Sequence, residues 1–266
     1  SALTANHGRH PAPGSVSAQV IMCMDDREEG TRRHLEEIAP TVVTYGAAGF
    51  FGIAMYWQGL DDPTRSALCP IVVRPEHLVR EQACDAELGE QHAQRHENRL
   101  LWRERLYQGT RNGVLAAPVL TALAAPTALL ALLSNTLAPA WIADAVRRWR
   151  SQYERPVTTR LQLTAEAAAA PASADMPRDG FDDKEQVERV ENFLRSIGLT
   201  QNFAPLILFF GHGSGSRNNP HLSAYDCGAC SGKHGGPNAR VFAAMANRPA
   251  VRAGLLARGL EIPAAC

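Results

Sequence analysis

Two segments concentrate the residues able to do chemistry. The first is Cys23-Met24-Asp25-Asp26-Arg27. A thiol and a carboxylate two residues apart can turn toward one cation, and an arginine two further on can grip that carboxylate with a bidentate fork. The second runs from Gly211 to Gly236 and supplies His212, Cys227 and Cys230 among glycines. Two of their three thiols, the imidazole and a carboxylate make four donors. That is a tetrahedral zinc set, assembled by the fold from distant pieces rather than by a small finger. Cys227-x-x-Cys230 alone also suits a redox pair. However, Gly232, Gly235 and Gly236 keep the chain irregular where a redox motif has a helix, and no histidine follows Cys230 as haem attachment requires. His92 and His96 share a helix face at i and i+4. They lack the glutamate of H-E-x-x-H and sit among charges, so they read as solvated side chains.

The elements that position these residues are legible around them. Ser17–Cys23 is a short β-prone run, followed by a helix from about Glu28 to Ile38 that Pro40 closes. Val42–Tyr45 and Ile71–Val73 read as further buried strands, with a small-residue loop at Gly46–Gly52 between them. Residues 81–107 have the composition of a long solvated helix. Residues 165–180 look like a linker. Asp182–Ile197 is a helix with Gly198 where a C-terminal cap belongs. Leu206–Phe210 is the strongest strand signal and runs directly into Gly211-His212-Gly213. A final helical region covers about 238–256, broken near Pro249. Strands alternating with helices predict an α/β fold with a mostly parallel sheet flanked by helices. Its ligands belong at the carboxyl ends of the strands. The expected division is a zinc core of 1–80 and 155–266, with a helical insertion at 81–154.

No charged residue occurs from Gly113 to Ala143. Val114–Leu133 alone is long enough to span a bilayer, yet it contains Pro118 and Pro126, which disfavour an interior helix. Three readings stand: a buried helical pair, a docking face for a membrane-embedded partner, and a true span. A single span would put the two chemical segments on opposite sides of the membrane, which counts against it.

Across all 266 residues, basic and acidic side chains balance at 27 each. That leaves no electrostatic footprint for nucleic acid. Six cysteines are too few for a disulfide scaffold in a chain of this length, and no secretory leader opens it. A cytosolic protein with reduced thiols is expected. The start at Ser1 and the unfinished end at Cys266 suggest a piece of something longer.

C-x-D-x-R followed far downstream by histidine and cysteine resembles the β-class carbonic anhydrases, whose zinc is held by Cys, His and Cys. That class usually joins the last two as H-x-x-C, whereas fourteen residues separate His212 from Cys227 here. With that departure, the wording GHGSGSRNNPHLSAYDCGACSG…GGPNAR resembles the DabA family of inorganic carbon transporter subunits. The likeness is strongest over about 17–60 and 200–262. It implies a β-carbonic-anhydrase-like core with Zn2+ on Cys23, His212 and Cys227, and an Asp25–Arg27 dyad. Cys230 becomes a neighbour, not a ligand. It further implies a peripheral subunit on the cytoplasmic side of the inner membrane, partnered by a membrane-embedded, antiporter-like, cation-translocating subunit. The pair would hydrate CO2 to bicarbonate in a CO2-concentrating role. Asp25 either completes the zinc's fourth position or, held by Arg27, leaves it open for water. Gly213 and Gly215 suit tight turns or a concavity for bicarbonate. The competing functions are a freestanding carbonic anhydrase and a non-catalytic structural zinc module.

Overall fold

Six consecutive residues with no exposed member, Ala18–Cys23 (β1), form the centre of the site-bearing sheet. The computed structural model describes residues 16–112, 114–153, 156–165, 172–215 and 220–266. The strand turns into a helix, Asp26–Ile38 (α1), at Asp25. Asp25 caps it by accepting from the Arg27 N–H, so the helix begins earlier than its apolar spacing suggests. Asp26, Glu28 and Glu29 in the first turn suit its positive end. The chain returns as Val42–Ala47 (β2), parallel to β1.

Among the described residues, eight strands divide between two sheets rather than one. The first has the order β2-β1-β8, where β8 is Leu206–Phe210, and both pairings are parallel. The second has the order β4-β3-β5-β6, with β7 also paired to β5. Its members are Met55–Gln58 (β3), Ser66–Leu68 (β4), His77–Ala83 (β5), Thr159–Gln162 (β6) and Arg178–Asp179 (β7). This sheet is mixed, because β3 and β4 run antiparallel. The expected strand at Ile71–Val73 is a turn between Pro70 and Pro75. Val73 N–H donates to Pro70 O at 2.8 Å, and Ile71 and Val72 are almost fully exposed. The true strand, β5, is disguised by Arg80 and Glu81. The long helix accordingly starts at Ala86, after Asp85 has accepted from the Leu88 N–H.

By its contacts the chain forms two compact units: the residues up to Arg80 with Leu161–Cys266, and Glu81–Arg160. In the first, Phe51, Phe193, Phe209 and Phe242 pack with ring centroids 4.5–6.1 Å apart. Phe193 and Phe242 come from Asp183–Ser196 (α5) and Gly236–Ala246 (α6). A final helix, Pro249–Ala257 (α7), adds Val251 and Leu255. Asp182 and Glu185 form a reciprocal capping box that starts α5, and Gly198 ends it at φ +75°. The expected linker at 165–180 lies partly outside the described residues. Of its remainder, Arg178–Asp179 is strand.

The second unit contains Ala86–Asn112 (α2), Ala116–Leu137 (α3) and Pro139–Tyr153 (α4). Pro126 lies inside α3 without ending it. Ala117–Leu137 is long and apolar enough to cross a membrane, and none of its apolar window is buried. The buried helical pair is therefore not what forms. With apolar residues all round, α3 has no single face that α2 and α4 could cover.

Candidate metal centre

β1 lies between β2 and β8, and all three strands point the same way, so their carboxyl ends meet at one edge. Cys23 is the last residue of β1, and His212 follows β8 by two residues. The chain then returns through a short 3-10 turn at Gly228–Cys230 that begins from Cys227. These three sequence-distant residues converge. One donor atom each from Cys23, His212 and Cys227 lies within 4.8 Å of the others.

The two sulfurs are 4.0 Å apart. Thiolates on tetrahedral zinc, at about 2.3 Å each, stand roughly 3.8 Å from one another, so the pair is set for a shared cation. It is much too wide for a disulfide, whose sulfurs are about 2.05 Å apart. His212 Nε2 is buried and makes no hydrogen bond among the described residues. A buried orphan of that kind costs about 1–3 kcal/mol, and a bound cation would relieve the strain on such a donor set. Two buried thiols and a half-buried imidazole at this spacing are a donor set that fits zinc.

The thiols are protonated without a metal. Hydrogen bonding with Cys227, then burial, pushes the Cys23 thiol far above its ordinary range, against the Asp25 backbone and His212, which lower it. The bond with Cys23 pulls the Cys227 thiol down, but Cys230 and burial outweigh it and push it up to about 11. A cation entering the site must displace both protons, so its affinity rises with pH.

Small residues make room for the sulfurs. A Cβ on Gly49 would lie 2.5 Å from Cys227 Sγ and 2.9 Å from Cys23 Sγ. Gly235 N–H ties the loop after β8 to α6 by donating to His212 O at 2.8 Å. Cys227 N–H donates to Lys233 O, and Gly232 N–H returns to Cys227 O.

Asp25 is engaged elsewhere. Arg27 Nε donates to its Oδ1 and Nη2 to its Oδ2, each at 2.7 Å. This fork holds the Asp25 carboxyl well below the usual carboxylate range. Arg27 Nη2 also donates to Asp226 O at 3.3 Å, next to Cys227, and its guanidinium lies 5.9 Å from the Tyr225 ring centre.

Cys230 stands outside the converging set. Its thiol faces Gly49 O at 3.5 Å and Asn238 Oδ1 at 3.7 Å. Asn238, fully buried, donates to Ile53 O and Leu68 O and so braces the region from behind. Ser214 N–H, between Gly213 and Gly215, already donates to Asp226 Oδ1 at 2.5 Å. Residues 216–219 of that loop lie outside the described residues. His92 and His96 share α2, and no third donor joins them in a metal-sized cluster among the described residues. Sequence reasoning missed Asp226 and Asn238. Their only signal was position beside the cysteines and glycines of the second segment.

Comparison with known proteins gives this geometry a context. The family described as "Probable inorganic carbon transporter subunit DabA" matches residues 1–266. A protein of that name from Dechloromonas aromatica is 68% identical over 265 residues, covering 99% of this chain and 26% of that protein. Namesakes from Methylococcus capsulatus and Nitrosococcus oceani are 54% and 44% identical, again over 99% of this chain and 25% and 24% of theirs. The chain thus spans about a quarter of the length of these relatives. No solved structure matches it. With two segments of this wording folded into one site, and the family match running from end to end, the chain belongs to the DabA family.

Proposed function

We propose that this chain is the zinc-bearing part of a subunit for inorganic carbon uptake, in which CO2 is hydrated to bicarbonate. The observation that carries the reading is the meeting of Cys23, His212 and Cys227 beside a carboxylate held by Arg27. The relatives' names, inorganic carbon transporter subunits, support the uptake role. Three parallel strands with the donors at their carboxyl ends support a β-carbonic-anhydrase-like core.

Cys23, His212 and Cys227 would hold the zinc. When bound, zinc supplies a Lewis acid that makes an attacking water acidic. Two thiolates donate more charge than imidazoles do, so water there ionises less readily than beside three histidines. Orientation then matters more. Arg27 keeps Asp25 ionised and directed to itself, so this carboxylate would not itself ligate the metal. The ionised Asp25 would serve as hydrogen-bond acceptor for the attacking water and orient it toward CO2. Asp226 O and the Tyr225 ring steady Arg27 in this arrangement. The chain would work at the cytoplasmic face of the inner membrane with a membrane-embedded, cation-translocating subunit that makes hydration one-way.

Replacing Arg27 by Ala tests the dyad. The Arg27→Ala protein should keep its zinc, because no ligand is touched, while Asp25 becomes free to take the fourth position. Bicarbonate accumulation in cells carrying the full-length protein and its membrane subunit should fall at least tenfold. Undiminished accumulation would refute the dyad's role. Rapid CO2 hydration by the purified chain alone would instead favour a freestanding carbonic anhydrase.

A further inference from the structure

The helical unit Glu81–Arg160 turns its apolar side chains outward. In α3, Leu123 is 71% exposed and Leu130 64%. The apolar exposure continues on both neighbours. Trp102 and Tyr107 stand out from the second half of α2, and Trp141 and Trp149 from α4. Amphipathic aromatic rings at both ends of an apolar segment are the pattern found at membrane–water interfaces.

The charges next to α3 are mostly positive. Residues 99–112 and 139–153 together carry seven arginines against Glu104 and Asp144. Arg103, Arg105, Arg147 and Arg148 are exposed. The whole chain is neutral, and residues 81–160 carry ten arginines against eight acidic residues, so the excess is concentrated in the segments next to α3. Basic side chains on both flanks complement anionic lipid headgroups.

The ends of the unit settle how it can meet a bilayer. Cys84 N–H donates to Thr158 O at 2.8 Å, and Thr159 Oγ1 donates to Glu81 Oε1 at 3.0 Å. Entry and exit are therefore pinned together. If α3 crossed the membrane, α2 or α4 would have to cross back to rejoin that pair. Both carry charged residues within their length, and each costs several kcal/mol at a bilayer centre. A largely apolar helix whose neighbours cannot cross enters one leaflet instead, with its basic flanks at the headgroups.

We propose that the Glu81–Arg160 unit seats directly in an anionic lipid bilayer, with α3 sunk into one leaflet and the arginines of α2 and α4 on the lipid phosphates. This deepens the membrane-facing part of the preceding reading and rests on it. The test reads lipid binding without carbon uptake or zinc, so failure of one is distinguishable from failure of the other.

The test is flotation of the purified chain with vesicles of phosphatidylethanolamine and phosphatidylglycerol, compared with phosphatidylcholine alone. Aggregated protein sinks and is not counted. The wild-type chain should float with the anionic vesicles. It should float at least tenfold less with the neutral ones. The double variant Leu123→Asp, Leu130→Asp changes only exposed positions and should abolish flotation. The variant Arg103→Gln, Arg105→Gln, Arg147→Gln should weaken binding by about fivefold for each arginine removed. Unchanged helical circular dichroism controls for folding in each case. Equal flotation with neutral and anionic vesicles would overturn the proposal. So would flotation that survives both sets of substitutions. A folded wild-type chain that floats with neither vesicle also overturns it, and leaves a protein partner as the occupant of α3.

Discussion

Phe242 and Leu130 are both large apolar residues in the middle of helices, yet their fates are opposite. Phe242 in α6 is fully buried and touches the rings of Phe193 and Phe209. Leu130 in α3 is 64% exposed. The contrast extends to the units that hold them. The sheet-bearing unit encloses an apolar core, and the same enclosure sets two thiols 4.0 Å apart. The helical unit spends its apolar residues on the surface. Hydrophobicity alone therefore does not say where the core is. What separates the units is patterning, since α5 confines its apolar residues to one face while α3 is apolar all round.

The sharpest way to break the comparison is to shave the two side chains. Phe242→Ala should cost about 3–5 kcal/mol, whereas Leu130→Ala should stay within about 0.5 kcal/mol, as for other surface changes. Urea denaturation of the two variants checks this, and equal losses would place Leu130 in a core. Next in size is Gly49→Ala. The added carbon meets both sulfurs and should cost about 1–3 kcal/mol by overpacking, with weaker zinc retention read by dialysis against a chelator.

Asp182→Ala removes the capping box of α5 and should lower stability by about 1 kcal/mol. Thermal melting of the sheet-bearing unit reads it. The smallest effect concerns His77, buried and stacked on Phe181 at 4.2 Å. Burial holds its pKa below the ordinary value, against Glu185, which raises it. The neutral ring's contribution is thus complete above about pH 6.5, the unfolded value, and is lost as pH falls through the folded value. Melts at pH 7 and 5.5 should show a steeper acid loss in the wild type than in His77→Gln, by less than about 1 kcal/mol. Parallel losses would contradict it.

These contrasts also explain what could be read from the residues alone. β1, β2 and β8 were legible as short β-prone runs with clear boundaries, and α5 by its acidic start and Gly198. Ile71–Val73 misled, because β-branched residues attract a strand reading while Pro70 and Pro75 forbid the ladder. β5 was hidden by Arg80 and Glu81. Arg80 is stable there because it pairs with Asp179 at 2.8 Å, a partner ninety-nine residues away. At the site, glycines and strand ends marked the two segments, while the choice of Cys23, His212 and Cys227 with Asp25 and Arg27, and of Cys227 over Cys230, came from the family resemblance. Asn238 and Asp226 were not legible, because a buried polar residue is defined by partners that only the fold brings near.

The central claim, that Cys23, His212 and Cys227 form one metal centre, has a direct test in metal content. Wild-type chain and the Cys23→Ala, His212→Ala and Cys227→Ala variants would be purified identically and analysed by plasma emission spectroscopy. The account predicts about one zinc per chain in the wild type, from three donors around one ion, and a large loss in each variant. Equal zinc in all four proteins would contradict it.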